Sequence, residues 1–385
     1  MKKEIPRNLS FYVHIPYCVK RCGYCDFNTY TPSQLLDGGT LETVSGDYID
    51  AVLCEVEIAR ESAPGFVPTI FFGGGTPSLL PARDLGRVID AIKSGWEVGK
   101  ECEITLEANP DSVDAAKLAQ FREAGFNRVS FGMQSAVPHV LATLDRTHNP
   151  ENVLRAVEGA RSAGFSSVSV DLIYGTPGES LQDWRTSVES ALSLGVDHIS
   201  AYALIVETGT KLANQIKRGE LSMPDDDVMA DMYLLVDQLA QDAGLSWYEL
   251  SNWSKPGHES RHNVAYWKNA NWWGLGPGAH SHKDGVRWWN IKHPTAYKSA
   301  LFAGTTVVAE SETLTASQLF DEAIMLQIRM REGISLSKLS TDQIETIAPY
   351  AQSGHIDEQH WLAGTLMLTP TGRLIADRIV RELVV

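Results

Sequence analysis

Cys18, Cys22 and Cys25 fall in one short run, Tyr12-Val-His-Ile-Pro-Tyr-Cys18-Val-Lys-Arg-Cys22-Gly-Tyr-Cys25-Asp-Phe-Asn28, with the spacing C-x3-C-x2-C. Three thiolates this close can hold an iron–sulfur cluster while leaving one iron without a protein ligand. Such an iron is where a substrate or cofactor can bind. A structural zinc site would pair a C-x2-C with a second pair of ligands further on, and no such pair is seen. Disulfides are disfavoured by an odd number of cysteines, five, in a 385-residue chain in which no secretory signal is read. A cluster of free thiols without function is the remaining bland alternative. Cys54 and Cys102 stand alone in apolar surroundings and are expected to be small buried hydrophobes.

Groups with this chemistry need a frame. Short β-type runs alternate with amphipathic stretches through the first two hundred residues. Strands are expected at 11–15, 69–72, 103–107, 128–132, 167–173 and 198–204. Helices are expected at 46–61, 82–93, 113–124, 151–163 and 181–194, three of them followed by a capping glycine, Gly125, Gly164 or Gly195. Six such units predict parallel strands with right-handed crossovers, too few to close an eight-stranded barrel. The expected fold is therefore α/β, an open partial (β/α)6 barrel. Its site should gather at the strand C-termini, and the chemistry-bearing residues lie there. The cysteines follow the first strand and Gly73-Gly74-Gly75-Thr76-Pro77 the second. Glu107-Ala-Asn109 follows the third and Gly132-Met-Gln134 the fourth, Asp171 ends the fifth, and Tyr202-Ala203 end the sixth.

Three regions are expected: 1–223 as the barrel core, 224–304 as an aromatic and glycine-rich extension, and 305–385 as a terminal module. The extension opens with a long helix at 225–241 behind an acidic cap. It then carries seven of the ten tryptophans, between Trp247 and Trp289. Those rings can pack a core or an interface, or can face a flat aromatic ligand. In the terminal module a helix at 316–330, a pair of short strands at 361–363 and 366–368 about Gly364, and a closing helix at 371–382 resemble a winged helix. From Glu310 onward this module has six Lys/Arg and eleven Asp/Glu. With a net charge of −15 for the whole chain, nucleic-acid binding is disfavoured, and a packing or lid role is expected instead. No apolar run approaches a membrane span. Met1–Arg7 carry no targeting pattern, so a cytoplasmic location is expected.

The C-x3-C-x2-C run resembles the signature of radical S-adenosylmethionine (SAM) enzymes. More narrowly, Tyr12-Val-His14-Ile-Pro16, Gly73 to Pro77, Arg128 to Gln134, Asp171 to Gly175 and the Gly274 to His280 loop resemble the oxygen-independent coproporphyrinogen III oxidase family. The resemblance runs over nearly the whole chain. Dehydrogenases of that family have a fourth cysteine where this chain has Phe27, and a longer segment before the cluster. The string His262-Asn263-Val-Ala-Tyr266-Trp267 is similar to the HNxxYW motif of the HemW branch, the haem chaperones. The resemblance implies a [4Fe–4S] cluster on Cys18, Cys22 and Cys25, with SAM chelating the fourth iron. It also implies haem as cargo and client haem proteins as recipients, membrane-bound respiratory proteins among them. A flavodoxin-type electron donor and a monomer or cluster-dependent dimer complete the picture.

By the same resemblance Tyr12, Tyr24, Gly74, Gly75, Thr76, Glu107, Gln134, Arg146, Asp171, Ala203 and His280 line the SAM site. Glycine at 74 and 75 lets backbone approach the ligand. Glu107 and Asp171 suit ribose hydroxyls or an ammonium, and Arg146 either clamps a carboxylate or is a surface residue. His262, Tyr266 and Trp267 are the haem candidates: an imidazole that can ligate iron and two rings that can face a macrocycle. Structural packing is the competing account of His262. His14 either tunes the site or fills a strand end. The rival functions are a coproporphyrinogen dehydrogenase that decarboxylates two propionates, a radical SAM enzyme acting on RNA, and a structural metal protein.

Overall fold

The computed structural model describes residues 8–35 and 41–384; the Met1–Arg7 segment, read above for targeting, lies outside them. Six parallel strands form the centre: β1 Leu9–Ile15, β2 Phe66–Gly74, β3 Glu97–Ala108, β4 Arg128–Gln134, β5 Ser167–Tyr174 and β6 His198–Ala203, hydrogen-bonded in that order. Helices join them, and those before β4, β5 and β6 end on Gly125, Gly164 and Gly195, all at positive φ. β1 and β6 do not pair with each other, so the barrel is partial, as expected.

Alternation along these strands separates two faces. Phe11, Val13, Ile70, Phe72, Leu106, Val129, Phe131, Val168 and Val170 are buried in one apolar cluster beneath the helices. The opposite residues are mostly polar: Ser10, Tyr12 and His14; Thr69; Glu103, Thr105 and Glu107; Arg128 and Ser130; Ser169 and Asp171; His198 and Ser200. A barrel of this kind usually fills its interior with branched apolar side chains. Here the lumen is lined with hydrogen-bonding groups instead.

The extension completes both flanks. The helix Asp226–Asp242 is capped by Asp225, whose carboxylate accepts from the Asp227 and Val228 amides. β7 Ser246–Glu249 and β8 Asn252–Ser254 follow, and β8 pairs antiparallel with β6. β9 Asn271–Leu275 pairs parallel with β1, and β10 His280–Lys283, β11 Val286–Asn290 and β12 Val308–Thr313 continue outward from it. Between β8 and β9 runs the short helix Arg261–Trp267, which carries the HNxxYW string from one flank of the sheet to the other.

The terminal module has its own apolar cluster, including Ile324, Ile328, Ile347, Leu366 and Ile379. Its strands differ from the expectation. Trp361 and Leu362 end a short helix, Glu358–Leu362, and the two-stranded sheet pairs β13 Ile334–Ser335 with β14 Thr365–Leu366. The first helix stops at Gln327, and the closing helix breaks at Ile375 into Pro370–Leu374 and Ala376–Leu383. The module docks through Arg373, which donates to both Asp237 carboxylate oxygens at 2.9 and 2.7 Å and to Tyr233 Oη at 3.0 Å, and stacks 4.2 Å over Trp247. Among the described residues no helix is long and apolar enough to cross a membrane. Cys102 is buried, but Cys54 is exposed: on its helix Val52, Glu55, Val56 and Ala59 take the buried face, and the helical phase turns Cys54 outward.

Candidate functional site

A cavity of about 1490 Å³ runs down the barrel. Single small-molecule sites occupy about 300–1,000 Å³, so this volume accommodates more than one such ligand. It is lined by all three cluster cysteines and by Tyr12, Tyr24, Gly74, Gly75, Thr76, Glu107, Gln134, Arg146, Asp171, Ala203, His262 and Tyr266. Residues from every barrel strand thus converge as the resemblance implied.

Cys18, Cys22 and Cys25 are half-buried on the loop after β1. Thr76 Oγ1 donates to Cys18 Sγ at 3.8 Å, and Arg146 Nη1 to Cys22 Sγ at 3.5 Å. Burial pushes the Cys18 thiol up to about 11, so a bound cation is what would hold it as thiolate. Among the described residues no three His, Cys, Asp or Glu side chains converge on one metal-ion position. A cubane spreads its thiolates over separate irons, so three cysteines on one loop, with thiol donors and a cation beside them, fit a cluster.

The loop is anchored by His14, read above as tuning the site or filling a strand end, and by Asn28 and Asp145, to which motif reading gave no role. His14 bridges the Tyr12 hydroxyl at 3.0 Å and the Asn28 carbonyl at 2.9 Å. Asn28 Nδ2 donates to the Pro277 and Lys292 carbonyls, tying the loop to the β9–β10 connection and its far side. Asp145, at φ 58°, accepts from Lys211 at 2.7 Å and Lys20 at 3.5 Å. A side chain at Gly23 would strike it, with a Cβ 2.7 Å from Asp145 Oδ2.

Arg146 is no surface residue. It donates to the Gly132 carbonyl at 2.8 Å and to Asn109 Oδ1, beside Cys22. Gln134 sits at φ 61° after a bulge in β4, a conformation found preferentially at functional positions. Gly74 and Gly75 have a structural reason beyond ligand approach. A Cβ at Gly74 would lie 2.5 Å from the His14 ring, and one at Gly75 2.5 Å from the Tyr17 carbonyl. Glu107 accepts from the Gly74 amide at 3.2 Å, and Ser130 Oγ lies 3.0 Å from both Asp171 oxygens. Burial, then the Asp171 charge, pushes Glu107 up to about 8; burial raises Asp171 as well.

Toward the N-terminal ends of the strands the helix Arg261–Trp267 forms a floor. Glu103 accepts the Arg261 and His262 amides at 3.1 and 3.0 Å, an anion at a helix start. His262 is 1% exposed. Its Nδ1 is 2.8 Å from Thr69 Oγ1, and its Nε2 is 2.8 Å from Tyr266 Oη. Thr69 donates to Ser10, so Nδ1–H donates to Thr69 and Nε2 accepts the Tyr266 hydroxyl. Burial, then the Arg128 charge, brings the imidazole down to about 3. Both nitrogens are therefore engaged, and a role as axial ligand would require the Tyr266 bond to break. Tyr12, Phe71 and His262 stack in sequence along one wall, with ring centroids 6.2 and 5.1 Å apart.

Two expected residues lie elsewhere. His280 is exposed on β10, stacked on Trp289 with centroids 5.5 Å apart. After Gly276-Pro277-Gly278 the chain reverses into an antiparallel strand, which carries His280 away from the lumen. Trp267 ends the floor helix and does not line the cavity. The terminal module adds a wall through Arg373, Leu374 and Asp377.

A family model described as the radical SAM superfamily matches residues 12–191. The chain is 47% identical over 375 residues to the heme chaperone HemW of Mycobacterium tuberculosis H37Rv, covering 97% of this chain and 94% of that protein. It is 34% identical over 382 residues to the heme chaperone HemW of Bacillus subtilis, covering 96% and 97%. The solved structure of coproporphyrinogen III oxidase (HemN) from Escherichia coli, a radical SAM enzyme, matches with a TM-score of 0.83 over 99% of this chain and 91% of that one. At 21% identity it speaks to the fold.

Proposed function

This chain belongs to the HemW family of radical SAM proteins, and on that premise we propose that it is a haem chaperone that binds haem and passes it to client haem proteins. The observation that carries this reading is 47% identity to a heme chaperone over nearly the full length of both chains. Cys18, Cys22 and Cys25 would hold a [4Fe–4S] cluster, with SAM beside Arg146, Glu107, Asp171, Gln134, Thr76, Gly74, Gly75, Tyr12, Tyr24 and Ala203. When bound and reduced, a cluster of this class would supply one electron to the sulfonium of SAM. The chain's residues supply the rest: Arg146 a cation next to Cys22, Glu107 and Asp171 paired acceptors, and the apolar belt around the lumen exclusion of water.

Haem takes the remaining volume, against the wall of Tyr12, Phe71 and Tyr266, with His262 orienting the Tyr266 hydroxyl. The three regions divide the labour: 1–223 holds the cluster, 224–304 the floor, and 305–385 the covering wall. The protein works in the cytoplasm, as a monomer or cluster-dependent dimer, with a flavodoxin-type reductant and respiratory haem proteins among its clients.

The test is a haem titration of anaerobically reconstituted protein, followed by transfer to an apo-haem protein, alongside incubation with SAM, reductant and coproporphyrinogen III. Haem binding and transfer without protoporphyrinogen formation is the expected result. Formation of protoporphyrinogen would overturn it.

A further inference from the structure

Arg128 opens β4 at the floor end of the lumen. It is 4% exposed and lines the cavity. Its direction follows from the strand: Val129 and Phe131 lie in the outer core, so Arg128 and Ser130 face inward. A guanidinium cannot give up its charge when buried, so it is normally paired. Here Nε is buried with no hydrogen-bond partner. Among the described residues no side chain forms an ion pair with Arg128.

The surrounding groups are committed elsewhere. His198 is held by Ser169 and by the Tyr248 hydroxyl at 2.7 and 2.8 Å. His262 is held by Thr69 and Tyr266. Burial, reinforced by the Arg128 charge, keeps both imidazoles neutral. Glu107 and Asp171 accept from Gly74 and Ser130; the Arg128 charge acts on both carboxyls, but neither hydrogen-bonds or ion-pairs with it. Arg128 is thus a fixed, desolvated cation with open hydrogen-bond donors at the bottom of a large chamber. The other buried or half-buried cavity arginines are engaged: Arg146 at the opposite end beside Cys22, and Arg373 with Asp237.

We infer that Arg128 is an anion subsite at the cavity floor and that it takes a ligand carboxylate, namely a propionate of a porphyrin. A planar monoanion matches the guanidinium fork. A phosphate dianion would meet more repulsion from the Asp171 charge in the same lumen than a monoanion would. A SAM held at the cluster cysteines would have Arg146 beside it, which would leave Arg128 for the second ligand. The inference rests on the haem-cargo reading above.

The test compares haem with haem dimethyl ester, whose propionates are uncharged, on cluster-loaded protein by Soret titration, with SAM affinity measured in parallel. The wild-type protein should bind haem at least tenfold more tightly than the diester. Arg128→Gln should remove that preference while leaving diester and SAM affinity unchanged, and Arg128→Lys should restore part of it. Equal wild-type affinity for haem and diester overturns the subsite without any variant, so poor folding of Arg128→Gln does not shelter it. Equal weakening of both ligands by Arg128→Gln also overturns it, because Arg128 then acts through the fold. If wild-type protein binds neither ligand, the cargo reading itself fails; if it binds haem and Arg128→Gln is indifferent, only the subsite falls.

Discussion

At the mouth of the cavity Cys18, Cys22 and Cys25 sit half-buried on a loop, whereas at the floor Thr69, Glu103 and His262 are buried on strands and a short helix and hydrogen-bonded to one another. The mouth offers thiols whose polar contacts are long and few. At the floor Thr69, Glu103 and His262 have their partners, while Arg128 Nε and Thr105 Oγ1 are buried without one. A residue at the mouth can therefore be lost at the expense of chemistry more than of folding. A residue at the floor is lost at the expense of folding first. A buried polar network is costly to leave partly satisfied, and a half-exposed thiol is not.

The contrast can be broken by substitution. The largest effect is expected from Cys22→Ala, which should abolish the visible absorbance and iron content of anaerobically reconstituted protein while its far-ultraviolet circular dichroism stays that of the parent. Retained iron would dissolve the distinction at the mouth. His262→Ala comes next. It strips partners from Thr69 and Tyr266 and leaves a hole, so the cluster-free protein should lose about 3 kcal/mol in denaturant unfolding. A loss below about 1 kcal/mol would show that the floor is not a coupled network.

The third is a pH effect. Glu107 is pushed up to about 8 in the fold, so the unfolded chain ionises it first as pH rises from about 4.5. The wild type should lose stability relative to Glu107→Gln across that window, by roughly 4 kcal/mol at pH 8 and less than about 1 kcal/mol at pH 5. The sign reverses for His262, brought down to about 3. Its contribution is present above about pH 6.5 and fades as pH falls. A stability difference between Glu107→Gln and wild type that stays flat from pH 5 to 8 would mean that Glu107 is already ionised in the fold.

The same contrast explains what could be read from residues alone. Loop groups at strand C-termini announce themselves, because Gly, Pro and Cys strings interrupt apolar runs; Cys18 to Cys25 and Gly73 to Pro77 were legible for that reason. The lumen was legible in principle. Glu103-x-Thr105-x-Glu107 and Arg128-x-Ser130 alternate with apolar residues, although the fold expected above sets no inner face apart from an outer one. The engagement of His262 was not legible, since Thr69 lies far away in sequence and only the pairing of β1 with β2 brings Ser10 and Thr69 beneath it. His280 failed for a related reason. Its loop motif was correct in position, but the direction of the strand after it depends on β11, a partner that comes later in the chain.

The two ends of the shell are braced unequally, and the outer barrel strands β1 and β6 are continued by β9 and β8. The segment 261–267 spans them at one end, pinned through Glu103 on β3 and, by Asn263, through Glu249 on β7. At the opposite end the Asn28 side chain ties the loop after β1 to the outer flank, beyond the pairing of β1 with β9. The compliance of the shell is therefore lopsided. The rim that carries the cysteines is thus the less braced end, and a disc-shaped cargo would pass in and out there, beside the cluster.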